Sequence, residues 1–339
     1  MTFWPWIRSH STALPGSPEP RVSVSLALGI LSTSLSLSCA EPSEPNHETA
    51  LNEDFAWGIY QIYWGASRYD QMIEESVKSL ASAPDIIMFY RDLGRGFPRG
   101  GCEVVDARGA TPMLSLELWH WGGGRDHESL LPTILTGGYD DFFQAYARDA
   151  KAYGKPVYLR FGFEMNGDWF SWGNQPPEFK AAWQHAHAIF SAEGADNVIW
   201  VWAPNFVSIP RENNPIESYY PGDEFVDWVG VDGYNFGDHH DQWHSWESFT
   251  QVFDPALALF AERYPDKPVM LAEFGSAPGN DGAKAAWIRE AYDEISQRPE
   301  IGAAVWFNLD KRTEGEPNWR IDSDPGSLEA FNRTFAQPR

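Results

Sequence analysis

The chain has 339 residues, with 25 Lys and Arg against 48 Asp and Glu, a formal charge of −23. A charge this negative repels phosphate backbones and anionic lipid surfaces, so nucleic acid is excluded as a natural partner. Two cysteines cannot supply a disulfide framework, a Cys-rich zinc site or an iron–sulfur cluster, and the 17 Trp require a large core, a ligand surface or both.

Residues 1–21 carry Arg8 and Arg21, and Val22 to Leu37 then run without a charge into small residues and Cys39. A basic region, a short apolar core and a small-residue end are the layout of an export signal, and 16 residues are short for a membrane-spanning helix. Leu35-Ser-Leu-Ser-Cys39 resembles a bacterial lipoprotein box with its leucine one position early, so Cys39 is expected either to be lipidated or to leave with the signal. The expected location is outside the cytoplasm: periplasmic, lipid-anchored at the cell surface, or secreted. Residues 40–54, polar with Pro42 and Pro45, read as a flexible linker.

From residue 55 to 339 a single domain is expected. Apolar, β-rich runs at 56–62, 85–91, 112–118, 156–163, 197–203, 226–233, 268–274 and 302–308 alternate with helical periodicity at 67–82, 139–153, 177–193, 247–264, 282–297 and 326–335. The connections after the second and fifth runs are less clearly helical. Eight strands in βα alternation fit an α/β fold of the single (β/α)8 TIM-barrel type. A doubly wound open sheet would carry a glycine-rich turn after its first strand, and Ile59-Tyr-Gln-Ile-Tyr-Trp64 has none.

Such barrels place chemistry where strands end. The fourth run ends Arg160-Phe-Gly-Phe-Glu164-Met-Asn-Gly167 and the seventh ends Leu271-Ala-Glu273-Phe-Gly275. Each is an apolar strand that finishes on a carboxylate, which is costly unless paired or used. Two such carboxylates across one barrel mouth suit glycoside hydrolysis, one protonating the leaving oxygen and the other attacking or activating water. Aromatic residues fall in the same post-strand loops: Trp119, Trp121, Trp169, Phe170, Trp172, Trp243, Trp246, Trp306 and Trp319. Indole faces complement the apolar C–H faces of sugars, and acidic surroundings suit a neutral, hydroxyl-rich ligand. Trp200, Trp202 and Trp228 lie within strands and read as core.

The run Arg160-Phe-Gly-Phe-Glu164-Met-Asn-Gly-Asp-Trp169-Phe-Ser-Trp172-Gly173 resembles the acid/base signature of glycoside hydrolase family 26, the β-mannanase family. The likeness continues through Val201-Trp-Ala-Pro-Asn205, Val226 to Asn235, Ala272-Glu273-Phe-Gly275 and Asn318 to Pro325. This resemblance implies a retaining β-glycanase with Glu164 as acid/base and Glu273 as nucleophile. It places Trp169, Trp172, Trp306 and Asn205 at the sugar site, Tyr234 on the nucleophile and Arg160 beneath it. It also implies β-1,4-mannan as the first substrate, with mixed-linkage β-glucan or β-xylan as alternatives and a non-catalytic glycan-binding barrel as a rival of another class. Phe163 departs from the family pattern, which has His immediately before the acid/base, and this bears on substrate identity more than on reaction type. Ser115-Leu-Glu117-Leu-Trp119 looks like the glucan-cleaving relatives, making Glu117 and Trp119 substrate-contact candidates.

The remaining signals carry less. His239, His240 and His244 with Asp238 and Asp241 read as a polar substrate loop, since no glutamate completes a metallohydrolase motif. Gly122 to Arg125 reads as a flexible loop. The chain is expected to work on a polysaccharide or oligosaccharide as a monomer, without cofactor or metal.

Overall fold

A computed structural model describes residues 51–122, 128–239 and 244–337, Glu53 apart. The expected export signal with Cys39, residues 40–50 of the linker, Gly123 to Arg125, and His240, Asp241 and Trp243 lie outside the described residues.

Eight parallel strands close on themselves in sequence order: β1 (Ala56–Tyr60), β2 (Ile86–Asp92), β3 (Thr111–Glu117), β4 (Val157–Phe161), β5 (Val198–Trp202), β6 (Trp228–Asn235), β7 (Val269–Ser276) and β8 (Ile301–Trp306). Each of them overlaps one of the eight runs named above. Around the barrel run α1 (Ala66–Val77), α2 (Arg99–Ala107), α3 (Leu131–Leu135), α4 (Asp140–Tyr153), α5 (Pro176–Glu193), α6 (Phe249–Arg263), α7 (Ala283–Ser296) and α8 (Pro325–Arg333). Buried on both faces, the strands are almost continuously apolar, as in Val-Ile-Trp-Val-Trp of β5. Trp200 and Trp202 are core and Trp228 packs half-buried on Tyr158, as their positions within strands implied.

Local sequence sets the helix starts. Ser248 caps α6 by accepting from the Gln251 backbone while the Gln251 side chain accepts from the Ser248 backbone. Asp324 caps α8, whose first residue is Pro325. Two connections were illegible for a reason. Helix α2 opens Arg99-Gly-Gly101, a weak helix-forming start that tertiary packing overrides. A β-carbon on Gly101 would stand 2.7 Å from the Tyr63 ring, so close packing demands the glycine. The β5–β6 connection instead carries two 3₁₀ turns, Ile216–Tyr219 and Asp223–Phe225.

The barrel is irregular where it matters. The pairing of β7 with β6 shifts between Val231 and Asp232, and with β8 between Leu271 and Phe274. These irregularities flank Ala272 and Glu273, and a bulge of this kind re-aims a side chain at a barrel rim.

Candidate active site

Glu164 lies just past β4. Gly162 and Glu164 both take left-handed backbone, with φ of 59° and 51°. For a glutamate this conformation costs about 1–3 kcal/mol and persists only where the surroundings enforce it. Here the Glu164 amide donates to the Ala203 carbonyl at 2.8 Å, and its own carbonyl accepts from Gly167 at 3.1 Å. The side chain is fully buried, with no Lys or Arg bonded to it among the described residues. Its Oε1 accepts from Asn205 Nδ2 at 2.7 Å and its Oε2 from Trp169 Nε1 at 2.6 Å. Burial first, and the charge of Glu273 second, push the carboxyl up to about 8, against the pull of those two donors. These surroundings favour the protonated form of Glu164.

Glu273 is set in the opposite surroundings. Its Oε1 accepts from Arg160 at 2.6 Å and from the Tyr90 hydroxyl at 2.5 Å, and its Oε2 accepts from the Tyr234 hydroxyl at 2.5 Å. Burial, and then the charge of Glu273 itself, hold both phenols well above their ordinary range, so they remain donors. Arg160 also binds Asp232 in a fully buried ion pair and donates to Ser115. Burial lifts the Asp232 carboxyl well above the usual carboxylate range while Arg160 works against that rise. Two carboxyls so placed are chemically unlike: one is buried on an amide and an indole, the other is held by a guanidinium and two phenols.

The other expected site residues divide. Tyr234 and Glu117 line a cavity at the barrel mouth, together with Trp121 and Trp319. Glu117 accepts from Trp121 Nε1, and burial pushes its carboxyl up to about 8. Arg160 and Asn205 touch the two glutamates and position them. Trp169 is half-buried over the acid, close enough to Gly167 that a β-carbon there would meet its indole at 2.3 Å. Trp119 packs edge-on against Phe170 and Trp172 beside Glu117.

Two expectations are corrected. Trp172 is fully buried, stacked on Phe170 at 4.3 Å, and donates to the Phe163 carbonyl, so it supports the acid loop from below instead of facing sugar. Trp306 is fully buried against Phe274, Trp287 and Phe331 on the outside of the barrel, and donates to the Trp319 carbonyl. It anchors the loop that carries Trp319. Phe163 is buried with the Arg160 guanidinium 4.6 Å from its ring centre and Tyr90 at 5.4 Å. It shields that guanidinium with an aromatic face where a histidine would add a polar group.

Tyr90, Asp232 and the loop residues Lys311 and Glu316 carry no role in the sequence reading. Tyr90 was legible in principle, because Met88 and Tyr90 are two apart and Met88 also touches Arg160 inside the barrel.

Strand-end glutamates on β4 and β7 of a (β/α)8 barrel, one buried as an acid and the other bound by a guanidinium and two phenols, define a glycoside-hydrolase type of site. Residues 139–296, which carry both, match the model of glycosyl hydrolase family 26. The chain is 36% identical over 241 residues to Endoglucanase H of Acetivibrio thermocellus, covering 69% of this chain and 25% of that protein. It is 34% identical over 132 residues to Mannan endo-1,4-beta-mannosidase A and B of Caldalkalibacillus mannanilyticus, covering 36% and 22%. It thus spans about a quarter of the length of these relatives. A modular endo-beta-1,4-mannanase from Cellulomonas fimi shares the fold with a TM-score of 0.61 at 19% identity, over 84% of this chain and 71% of that one. A GH26 beta-mannanase from Bacteroides ovatus does so at 0.58 and 19%, over 82% and 87%. These likenesses place residues 139–296 of the chain in glycoside hydrolase family 26.

Proposed function

We propose that the protein is a retaining, endo-acting β-glycanase with β-1,4-mannan as its first substrate. The observation that carries this reading is the contrast between Glu164, a buried acid, and Glu273, held by Arg160, Tyr90 and Tyr234. Glu164 gives its proton to the glycosidic oxygen as a Glu273 oxygen attacks the anomeric carbon, and the bond to the leaving sugar breaks. Glu164, now a carboxylate, takes a proton from water, which attacks the anomeric carbon and frees Glu273. Arg160 and the two phenols hold Glu273 in line throughout.

A β-glucan substrate is the second reading. It is favoured by Glu117 in the cavity wall and by the likeness to a protein named Endoglucanase H. Presenting mannan, glucomannan, lichenan and xylan to the purified protein and chromatographing the products tests both. Mannan cleaved to mixed oligosaccharides is expected. Lichenan cleaved in its place moves the assignment to the second reading, and no cleavage of any of the four removes the enzyme reading for these glycans. Export rests on residues 1–39 alone, and processing or lipidation at Cys39, read by intact mass, tests it.

A further inference from the structure

The loop after β4 that carries Glu164 is held in an uncommon shape. Glu164 and Asn174 stand near its two ends in left-handed backbone, with φ of 51° and 55°. Those ends meet. The Asn174 amide donates to the Met165 carbonyl at 3.0 Å, and a β-carbon on Gly173 would stand 2.0 Å from the Gly167 carbonyl oxygen. A glutamate keeps such backbone only where its surroundings over-determine it. Part of that restraint comes from a different connection, the one between β5 and β6.

Asn214 is the link. It is 8% exposed, and burying a side-chain amide is costly unless its hydrogen bonds are made. Its Nδ2 donates to the Asn166 carbonyl at 2.8 Å and to Asn174 Oδ1 at 2.9 Å, and its Oδ1 accepts from the Tyr219 hydroxyl at 2.6 Å. One amide thus ties the residue two after Glu164 to the far end of the same loop. Tyr219 is fully buried edge-on against Phe179 of α5, and its hydroxyl fixes which edge of the Asn214 amide faces the loop.

From Asn166 the contacts run on to the acid. Ile209 N–H donates to the same Asn166 carbonyl at 2.9 Å. The Asn166 side chain accepts from the Asn205 amide at 2.8 Å and donates to the Asn205 carbonyl at 2.9 Å, and Asn205 Nδ2 reaches Glu164 Oε1 at 2.7 Å. Asn214 bonds Asn166 and Asn174, not Glu164, and does not line the cavity at the barrel mouth. It can act on the acid only by placing it. Placing matters because a general acid works within hydrogen-bond reach of the leaving oxygen, and a displacement of about 1 Å can cost on the order of a hundredfold in rate.

Resting on the hydrolase reading above, we propose that Asn214, oriented by Tyr219, is a positioning residue that sets the Glu164 carboxyl against the leaving oxygen. The charged groups that act on Glu164 are Glu273 and Arg160, and Glu164 in turn acts on Asp232 and Tyr234. The Asn214 side chain bonds none of these, so its loss leaves the nucleophile's side in place. The test compares two aryl β-glycosides of the sugar that the wild type releases. One loses 2,4-dinitrophenolate, which departs without a proton, and the other loses phenol, which needs one. Both are measured on one preparation, so the ratio of their kcat/KM values is independent of the fraction folded. Asn214→Ala is expected to lose about tenfold in kcat/KM on the phenyl glycoside and less than about twofold on the dinitrophenyl glycoside. Tyr219→Phe, which keeps the buried ring, is expected to show the same split at about threefold. Loosening the Asn205 donor also favours the protonated acid. The basic limb of kcat/KM against pH, read on the glycan that is cleaved, is therefore expected to move up by about half a pH unit in Asn214→Ala. Equal losses on the two glycosides, no loss on either, or a limb that stays put or moves down would each overturn the proposal and leave the hydrolase reading intact. A wild type that cleaves no glycan and neither glycoside contradicts the hydrolase reading itself, and this role for Asn214 with it.

Discussion

Replacing Trp169 with Phe keeps a ring over the acid but removes the indole N–H that donates to Glu164 Oε2 at 2.6 Å. That donor favours the charged carboxylate, so its loss must raise the pKa of Glu164 further above 4.5, in the direction burial already drives it. A hydrogen bond to a charged acceptor contributes about 1.5–3 kcal/mol. Trp169 is half-exposed, so water replaces part of the bond and about 1 kcal/mol remains, which at 1.36 kcal/mol per pKa unit is roughly 0.7 of a unit. The basic limb of kcat/KM against pH reports the acid of the free enzyme. It is expected near pH 8 in the wild type and about half to one unit higher in Trp169→Phe, whatever the fall in absolute rate. A limb that stays put or moves down refutes the assignment of Glu164 as the titrating acid.

Three further outcomes follow from the same geometry. With a folded pKa near 8, Glu164 must be protonated on folding, so its contribution to stability falls as pH rises from about 4.5 to 8. Glu164→Gln is therefore expected to raise Tm by about 2 °C or more at pH 7.5, with the gain shrinking at pH 5, as scanning calorimetry would show. Lys284, buried on α7, donates to the Asn318 and Arg320 carbonyls at 3.2 and 2.7 Å and to Ser323 at 3.1 Å, clamping the loop that carries Trp319. Losing three such bonds at about 1 kcal/mol each predicts roughly 6–12 °C off Tm for Lys284→Met in thermal denaturation. Trp306→Ala is expected to cost about 3–5 kcal/mol in urea unfolding through the cavity it leaves, whereas Trp169→Ala should change stability little and raise KM.

The barrel was legible because its strands are short, apolar and bounded by turns, so the period and order of the runs alone specified the fold class. The two glutamates were legible for a related reason: a carboxylate that ends an apolar strand has few cheap explanations. What could not be read was side-chain direction. Trp306 closes β8, as a site residue would, but projects outward onto Trp287 of α7 and Phe331 of α8. Trp172 lies in a post-strand loop that folds back beneath Phe163. Loop position suggests exposure, and here the tight loop from Glu164 to Asn174 inverted it. Tyr90 was hidden by the opposite effect, since a strand run rich in large apolar residues shows no mark for the one whose hydroxyl reaches across the barrel. Lys311 and Glu316 read as ordinary loop charges, and only the fold brings that loop to the cavity wall.

The most direct measurement is to trap the intermediate. An activated 2-deoxy-2-fluoro oligosaccharide of the sugar hydrolysed slows release more than attack, so the glycosyl-enzyme accumulates and peptide mass spectrometry locates it. The account predicts one added glycosyl group on the peptide containing Glu273, formed with loss of activity. A label on another residue, or an unlabelled enzyme whose first product has inverted anomeric configuration, would contradict it.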